Sequence, residues 1–145
     1  MKKVKIVVIE DHDSMMELYS AALPGILNHL GYTEGEYEVS VNKNGASGLA
    51  SYSDKRRVDP VDFLISDNDL PDMKGVDILG KISLYLTRKD GKIPFILASG
   101  NLNPDDKQYA ESMGAYTLDK PFRLEKLEEI IQKHLGRPAE VKQHK

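Results

Sequence analysis

The stretch FLISDNDLPD (Phe63–Asp72) begins apolar and then sets three aspartates, Asp67, Asp69 and Asp72, within six positions. A short, nearly continuous apolar run reads as a strand buried on both faces, the mark of a parallel sheet with helices packed on either side. The acids that follow pose a physical problem. Two carboxylates about 4 Å apart repel by about 4 kcal/mol at an effective dielectric of about 20. Such a cluster is tolerable where solvent dilutes the charge or a cation neutralises it.

Two other segments share the character of this strand, VKIVVI (Val4–Ile9) and IPFILA (Ile93–Ala98), and the third member is best bounded as VDFLIS (Val61–Ser66). YEVSVN (Tyr37–Asn42) alternates instead, which suits a sheet edge with one wetter face. AYTL (Ala115–Leu118) is a shorter fifth strand. Helical periodicity fills the gaps. Ser14 and Glu17 form a capping-box pattern that opens a helix through Met15, Leu18, Ala22 and Ile26, and Pro24-Gly25 should kink or break it. NGASGLASYS should be a poor helix, weakened by Gly48 and its serines. Val76, Leu79, Ile82 and Leu86 mark a third helix, Asn103-Pro104 opens a fourth that stops at Gly114, and Leu124 to Leu135 carry the last. Thr33–Glu36 and Ser53–Pro60 read as surface loops. The alternation predicts a doubly wound α/β fold, a five-stranded parallel sheet with helices on both faces.

Composition sets the outer limits. The chain has 145 residues and a formal net charge of −3, so its overall field gives no reason to expect a nucleic-acid partner. Short basic runs such as Arg88-Lys89 read as solvated surface. There is no cysteine, which excludes disulfides, thiolate metal sites and a cysteine nucleophile. Val4–Ile9 is too short for a signal peptide or a membrane span, so a cytoplasmic protein is expected.

In open α/β sheets the ligand crevice lies beyond the carboxyl ends of the strands. Glu10 and Asp11 follow the first strand, Asp67 and Asp69 the third, Ser99 and Gly100 the fourth, and Lys120 and Pro121 the fifth. Carboxylates, a hydroxyl and an amine should therefore converge on one rim. A ligand set of oxygens alone suits a hard cation, with magnesium the first choice. Beside it a carboxylate can act as nucleophile toward phosphorus and form an acyl phosphate. His12 adjoins the acids but reads as a solvated loop side chain.

IEDHDSM, LISDNDLPDMKG, ILASG and LDKPF, in that order and at those strand ends, resemble the receiver domain of two-component response regulators, over roughly Lys3 to Leu135. The resemblance implies a flavodoxin-like sheet ordered 2-1-3-4-5, a cis bond before Pro121, and a stand-alone domain over residues 1–135. The polar tail, 136–145, is expected to be disordered. It implies Asp67 as phosphoacceptor with Mg²⁺ held by Asp11 and Asp67, by Glu10 mainly through water, and by the backbone carbonyl of Asp69. Ser99 would be the switch hydroxyl and Lys120 the cation paired with the phosphoryl group. The implied function is a phosphorylation-dependent switch rather than an enzyme. A histidine kinase or phosphotransfer protein would supply the phosphoryl group, and a downstream protein partner would read it, with neither nucleic acid nor membrane bound directly.

Two departures from the family pattern stand out. Glu10 replaces the commoner aspartate. The position of the switch tyrosine or phenylalanine carries Thr117, with Tyr116 one residue earlier. Either Tyr116 takes the aromatic role through a shifted loop, or the rotating aromatic is absent; absence is the expectation. Two further functions fit part of the pattern. Thr117 keeps open a pseudo-receiver that binds partners without phosphorylation. Asp67-Asn68-Asp69 has the D-x-D form of haloacid-dehalogenase-like phosphatases, although in those enzymes the acid pair comes late in the chain and here it comes first.

Overall fold

Three strands are buried along nearly their whole length and carry the sheet: β1 (Val4–Ile9), β3 (Phe63–Ser66) and β4 (Phe95–Ser99). β2 (Tyr37–Asn42) and β5 (Tyr116–Asp119) are half-buried and form its edges, as the alternation in YEVSVN predicts. All pair in parallel in the order 2-1-3-4-5. This computed structural model describes residues 3–56 and 60–135. The polar tail 136–145 and part of the expected Ser53–Pro60 loop lie outside the described residues.

Five helices link the strands: α1 (Asp13–His29), α2 (Gly45–Arg56), α3 (Gly75–Ile82), α4 (Pro104–Ser112) and α5 (Leu124–Leu135). Two apolar layers result. Ile6, Val8, Phe63, Ile65 and Ile96 face α1 and α5, while Val7, Ile9, Leu64, Phe95 and Leu97 face α2, α3 and α4.

Several local expectations give way to longer-range forces. α1 runs unbroken through Pro24-Gly25. An interior proline costs about 3 kcal/mol, but Leu23, Ile26 and Leu27 around it are buried, each gaining about 1.5–3 kcal/mol from burial. Packing wins. The helix also starts one residue before the expected Ser14 cap. His12 is its N-cap and makes no side-chain cap; its ring Nδ1 faces Glu10 instead. α3 ends at Ile82, and Ser83–Tyr85 form a single 3₁₀ turn before Leu86. The Thr33–Glu36 loop also contains a 3₁₀ turn, Glu34–Glu36. β4 and β5 each begin and end further along the chain than expected, which brings Ser99 and Asp119 into register as a pair.

The segment expected to make a poor helix forms the twelve-residue α2, including Ser53 to Arg56 of the expected loop. Its first turn is completed from a distance. Asp72 accepts hydrogen bonds from the N–H groups of Gly45 (2.8 Å) and Ala46 (2.9 Å). These bonds and the positive end of the helix hold the Asp72 carboxyl below the ordinary aspartate range. Gly48, a weakness for helix formation alone, allows the helix to lie on β1, since a Cβ there would sit 2.3 Å from Ile9 Cδ1.

Candidate functional site

Backbone pairing continues one residue past the strands and aims their last side chains at one rim. Glu10 N–H donates to Asn42 O (2.9 Å), Asp67 N–H to Ile9 O (2.9 Å), and Lys120 N–H to Ser99 O (3.0 Å). Glu10, Asp67 and Ser99 are all buried, at 0%, 4% and 1% exposure. Each is a continuation of the sheet rather than a loop residue, so its position is set by the ladder.

Lys120 Nζ lies 2.5 Å from Glu10 Oε1 and 3.5 Å from Asp67 Oδ2. The other oxygen of Glu10 accepts from His12 N–H (3.1 Å) and also faces His12 Nδ1 at 3.1 Å. Both oxygens of Glu10 are thereby engaged by the protein. Asp67 Oδ1 accepts a long bond from Asp69 N–H (3.3 Å). Ser99 Oγ accepts from Asn101 N–H (3.4 Å). The Lys120–Pro121 bond is cis.

His12 stays 66% exposed, yet its Nδ1 also stands 3.3 Å from Asp11 and 3.9 Å from Asp67. Its hydrogen bond to Glu10 and the charges of Asp11 and Glu10 push its pKa up. Burial pushes the Asp67 carboxyl above the ordinary range; Lys120 pulls it down and Glu10 pushes it up again.

The acids meet one test for a cation. Asp11 Oδ1 is buried with no hydrogen-bond partner, although His12 is within ion-pairing distance. A buried oxygen left so is costly unless something charged completes it. Glu10, Asp11, His12 and Asp67 can each present one ligand atom within 4.8 Å of the others. The three carboxylates of that set have the chemistry that a hard divalent ion takes. A cavity of about 450 Å³ opens above them, lined by Met15, Asp67, Asn101 and Lys120 among others. A larger one, about 590 Å³, lies between α3 and α4 beside Val76, Gly80 and Tyr109. It has no such convergence of acids, and chemistry rather than volume marks the site.

The chain matches the response regulator receiver domain over residues 6–132. It belongs to that family. Receiver domains are phosphoacceptor signalling modules, generally not classed as enzymes, that generally bind Mg²⁺ at an acidic pocket and interact with histidine kinases and phosphotransfer proteins. The transcriptional regulatory protein KdpE of Mycobacterium tuberculosis is 33% identical over 90 residues, 61% of this chain. The matched part of the receiver chain spans 36% of that relative's length. Among solved structures, the chemotaxis protein CheY4 of Vibrio cholerae is 26% identical with a TM-score of 0.67, covering 92% of this chain and 99% of its own. The HemR receiver domain of Leptospira biflexa is 25% identical with a TM-score of 0.65, covering 94% and 98%. Among the described residues of this receiver domain, no helix is long and apolar enough to cross a membrane.

The two candidates for the aromatic position fall on opposite faces. Thr117 pairs with Leu97 on the α4 side of the sheet. Tyr116 packs on the α5 side and is tied to His134 Nε2 through its hydroxyl (2.8 Å). Asp69 keeps its side chain exposed. Two residues lie outside the set the sequence singles out: Asn68, which is 2% exposed and bonded to two helices, and Asp72, which caps α2. An asparagine directly after Asp67, within a buried run, was the available signal for the first.

The raised Asp67 pKa carries a sign that can be checked. In the metal-free protein its folded pKa lies above its unfolded one, so ionising it destabilises the fold. That cost is absent below the unfolded pKa and complete once pH has risen through the folded pKa. Asp67→Asn is expected to raise the metal-free melting temperature at neutral pH, and the gain should shrink as pH falls through the folded pKa. Thermal unfolding in chelator across a pH series reads this; a gain undiminished in acid would contradict it.

Proposed function

We propose that this receiver domain, residues 1–135, is a phosphorylation-controlled switch in the cytoplasm that takes a phosphoryl group onto Asp67 from a histidine kinase or phosphotransfer protein. The observation that carries the reading is the rim itself: a buried Asp67 with Lys120 Nζ 3.5 Å away and beside it an Asp11 oxygen with no hydrogen-bond partner. An Asp67 oxygen attacks phosphorus as the P–N bond of phosphohistidine breaks, and the imidazole leaves with the electron pair and takes up a proton. Asp11, Asp67 and the Asp69 carbonyl would hold Mg²⁺, which supplies charge neutralisation for the carboxylates and the phosphoryl oxygens. Glu10 acts from behind. With one oxygen on Lys120 and the other on His12, it orients both residues and would act on the metal mainly through water.

Lys120 shifts from a carboxylate pair to the phosphoryl oxygens, and Ser99 donates its hydroxyl hydrogen to another of them. Those two movements bias the surface that a downstream protein partner reads. Thr117 has no ring to rotate, so the readout runs without an aromatic switch.

The test is intact-mass analysis after incubation with a small phosphodonor, with and without Mg²⁺, of wild type and Asp67→Asn. One phosphoryl adduct is expected, dependent on the metal and lost in the variant. No adduct in either protein would leave a module that binds partners without phosphorylation.

A further inference from the structure

α4 is weakly anchored. It has nine residues, and Ala110 alone among them is buried. A helix this short is marginal by itself and depends on tertiary ties. Tyr109 rests against Gly80 of α3, where even an added Cβ would meet its hydroxyl at 2.9 Å. The polar tie is at the other end. Asp106 Oδ2 accepts from Asn68 Nδ2 (2.8 Å), Lys74 Nζ (2.8 Å) and Asn103 Nδ2 (3.0 Å). Asn103 in turn caps the helix by accepting from Asp106 N–H (2.8 Å).

Asn68 is the unusual member of this group. It follows Asp67 directly, it is nearly fully buried, and both of its oxygens are also bonded. Its Oδ1 accepts from Val76 N–H (3.1 Å) and its carbonyl from Gly75 N–H (3.0 Å), both at the start of α3. One side chain thus joins the Asp67 backbone, the first turn of α3 and the first turn of α4. The bond to Asp106 is charge-assisted, the strong kind, and with Lys74 it draws the Asp106 carboxyl below the ordinary range.

We propose that Asn68 is the positioning residue that couples Asp67 to α4: its bond to Asp106 ties the geometry of the phosphoacceptor loop to the docking of the α4 N-terminus. The inference rests on Asp67 being the phosphoacceptor. Adding a phosphoryl group to Asp67 crowds the adjoining peptide. Asn68 has little slack, since its side-chain nitrogen, side-chain oxygen and carbonyl oxygen are each bonded to α3 or α4. Any shift of the loop is therefore passed to Asp106, where α4 has little else to hold it. Coupling of this kind is reciprocal in binding free energy.

The experiment uses beryllofluoride with Mg²⁺ as the phosphoryl mimic, on wild type, Asn68→Ala, Asp106→Ala and the double variant. Amide hydrogen exchange across Pro104–Ser112 is read with and without the mimic, and its affinity is measured in parallel. In wild type the mimic should change α4 exchange by about fivefold or more, the low end of usual coupling. Each single variant should abolish that response and shift the affinity for the mimic by a similar factor, and the double variant should add nothing to either. Fraying of α4 alone would raise its basal exchange but leave the affinity at Asp67 unmoved, and that result overturns the proposal. So does a retained α4 response in either single variant, or additive effects in the double. If Asn68→Ala fails to fold, Asp106→Ala decides by itself, because it alters a helix first turn at the surface. Failure of wild type to bind the mimic at all sinks the phosphoacceptor reading instead.

Discussion

Replacing Lys120 with methionine is expected to destabilise the metal-free protein by about 3 kcal/mol, the low end of the cost of breaking a buried ion pair. The low end applies because the Lys120 side chain keeps 14% exposure, whereas Glu10 has none to speak of. Methionine retains most of the stem's packing, so the loss reports the charge. It leaves Glu10 and Asp67 facing one another with Asp11 nearby and, among the described residues, the exposed His12 to offset them. The three acids then have every reason to take up a divalent ion, and Mg²⁺ should restore more stability to the variant than it adds to wild type, through ordinary ligand linkage. Thermal and urea unfolding in chelator and in millimolar Mg²⁺ supply both numbers. Equal stability of the two proteins in chelator would mean that Lys120 is a surface lysine near the acids and no part of their balance. Under the proposed function the variant also loses its phosphorylation-dependent output, even where the adduct still forms.

Gly75→Ala is expected to be nearly as damaging. Its sequence context suggests a glycine that permits a turn, but no positive φ is needed there. The constraint is proximity. A Cβ at this position would lie 2.4 Å from the Asp67 carbonyl oxygen and 2.6 Å from Leu97 Cδ1. A leucine methyl can turn aside, but a backbone carbonyl held by the β3–α3 connection cannot. Overpacking of this kind costs about 1–3 kcal/mol, and here the displaced atom belongs to Asp67, the proposed phosphoacceptor. The variant should show both a lowered urea midpoint and slower adduct formation at Asp67. A stability loss with unchanged phosphorylation kinetics would show that α3 retreats and the site stays put.

The parts of the fold that could be read directly are those where one short segment carries its own signal. Val4–Ile9 and the FLIS run are continuous apolar strands wherever they occur, and their order with the intervening helices leaves few parallel topologies. The four strand ends were equally legible, because the position of a crevice in such sheets depends on connectivity and not on detail. What escaped were features set by individual side-chain contacts between residues distant in sequence. Pro24 stays inside α1 because of the core beneath it. α2 exists because Asp72, 27 residues away, caps it. Asn68 looks like filler between two aspartates until α3 and α4 are placed against it. The tyrosine choice also needed the strand register, since one residue of difference moves a side chain through the sheet, and this puts Tyr116 on the α5 side.

The most direct test of the account is to find where the phosphoryl group sits. After incubation with a small phosphodonor and Mg²⁺, borohydride reduction converts an aspartyl acyl phosphate to homoserine, and peptide mass analysis locates it. The account predicts homoserine at position 67 and at no other acid. Homoserine at Asp11 or Asp69, or a stable phosphoryl group that resists reduction, would contradict it.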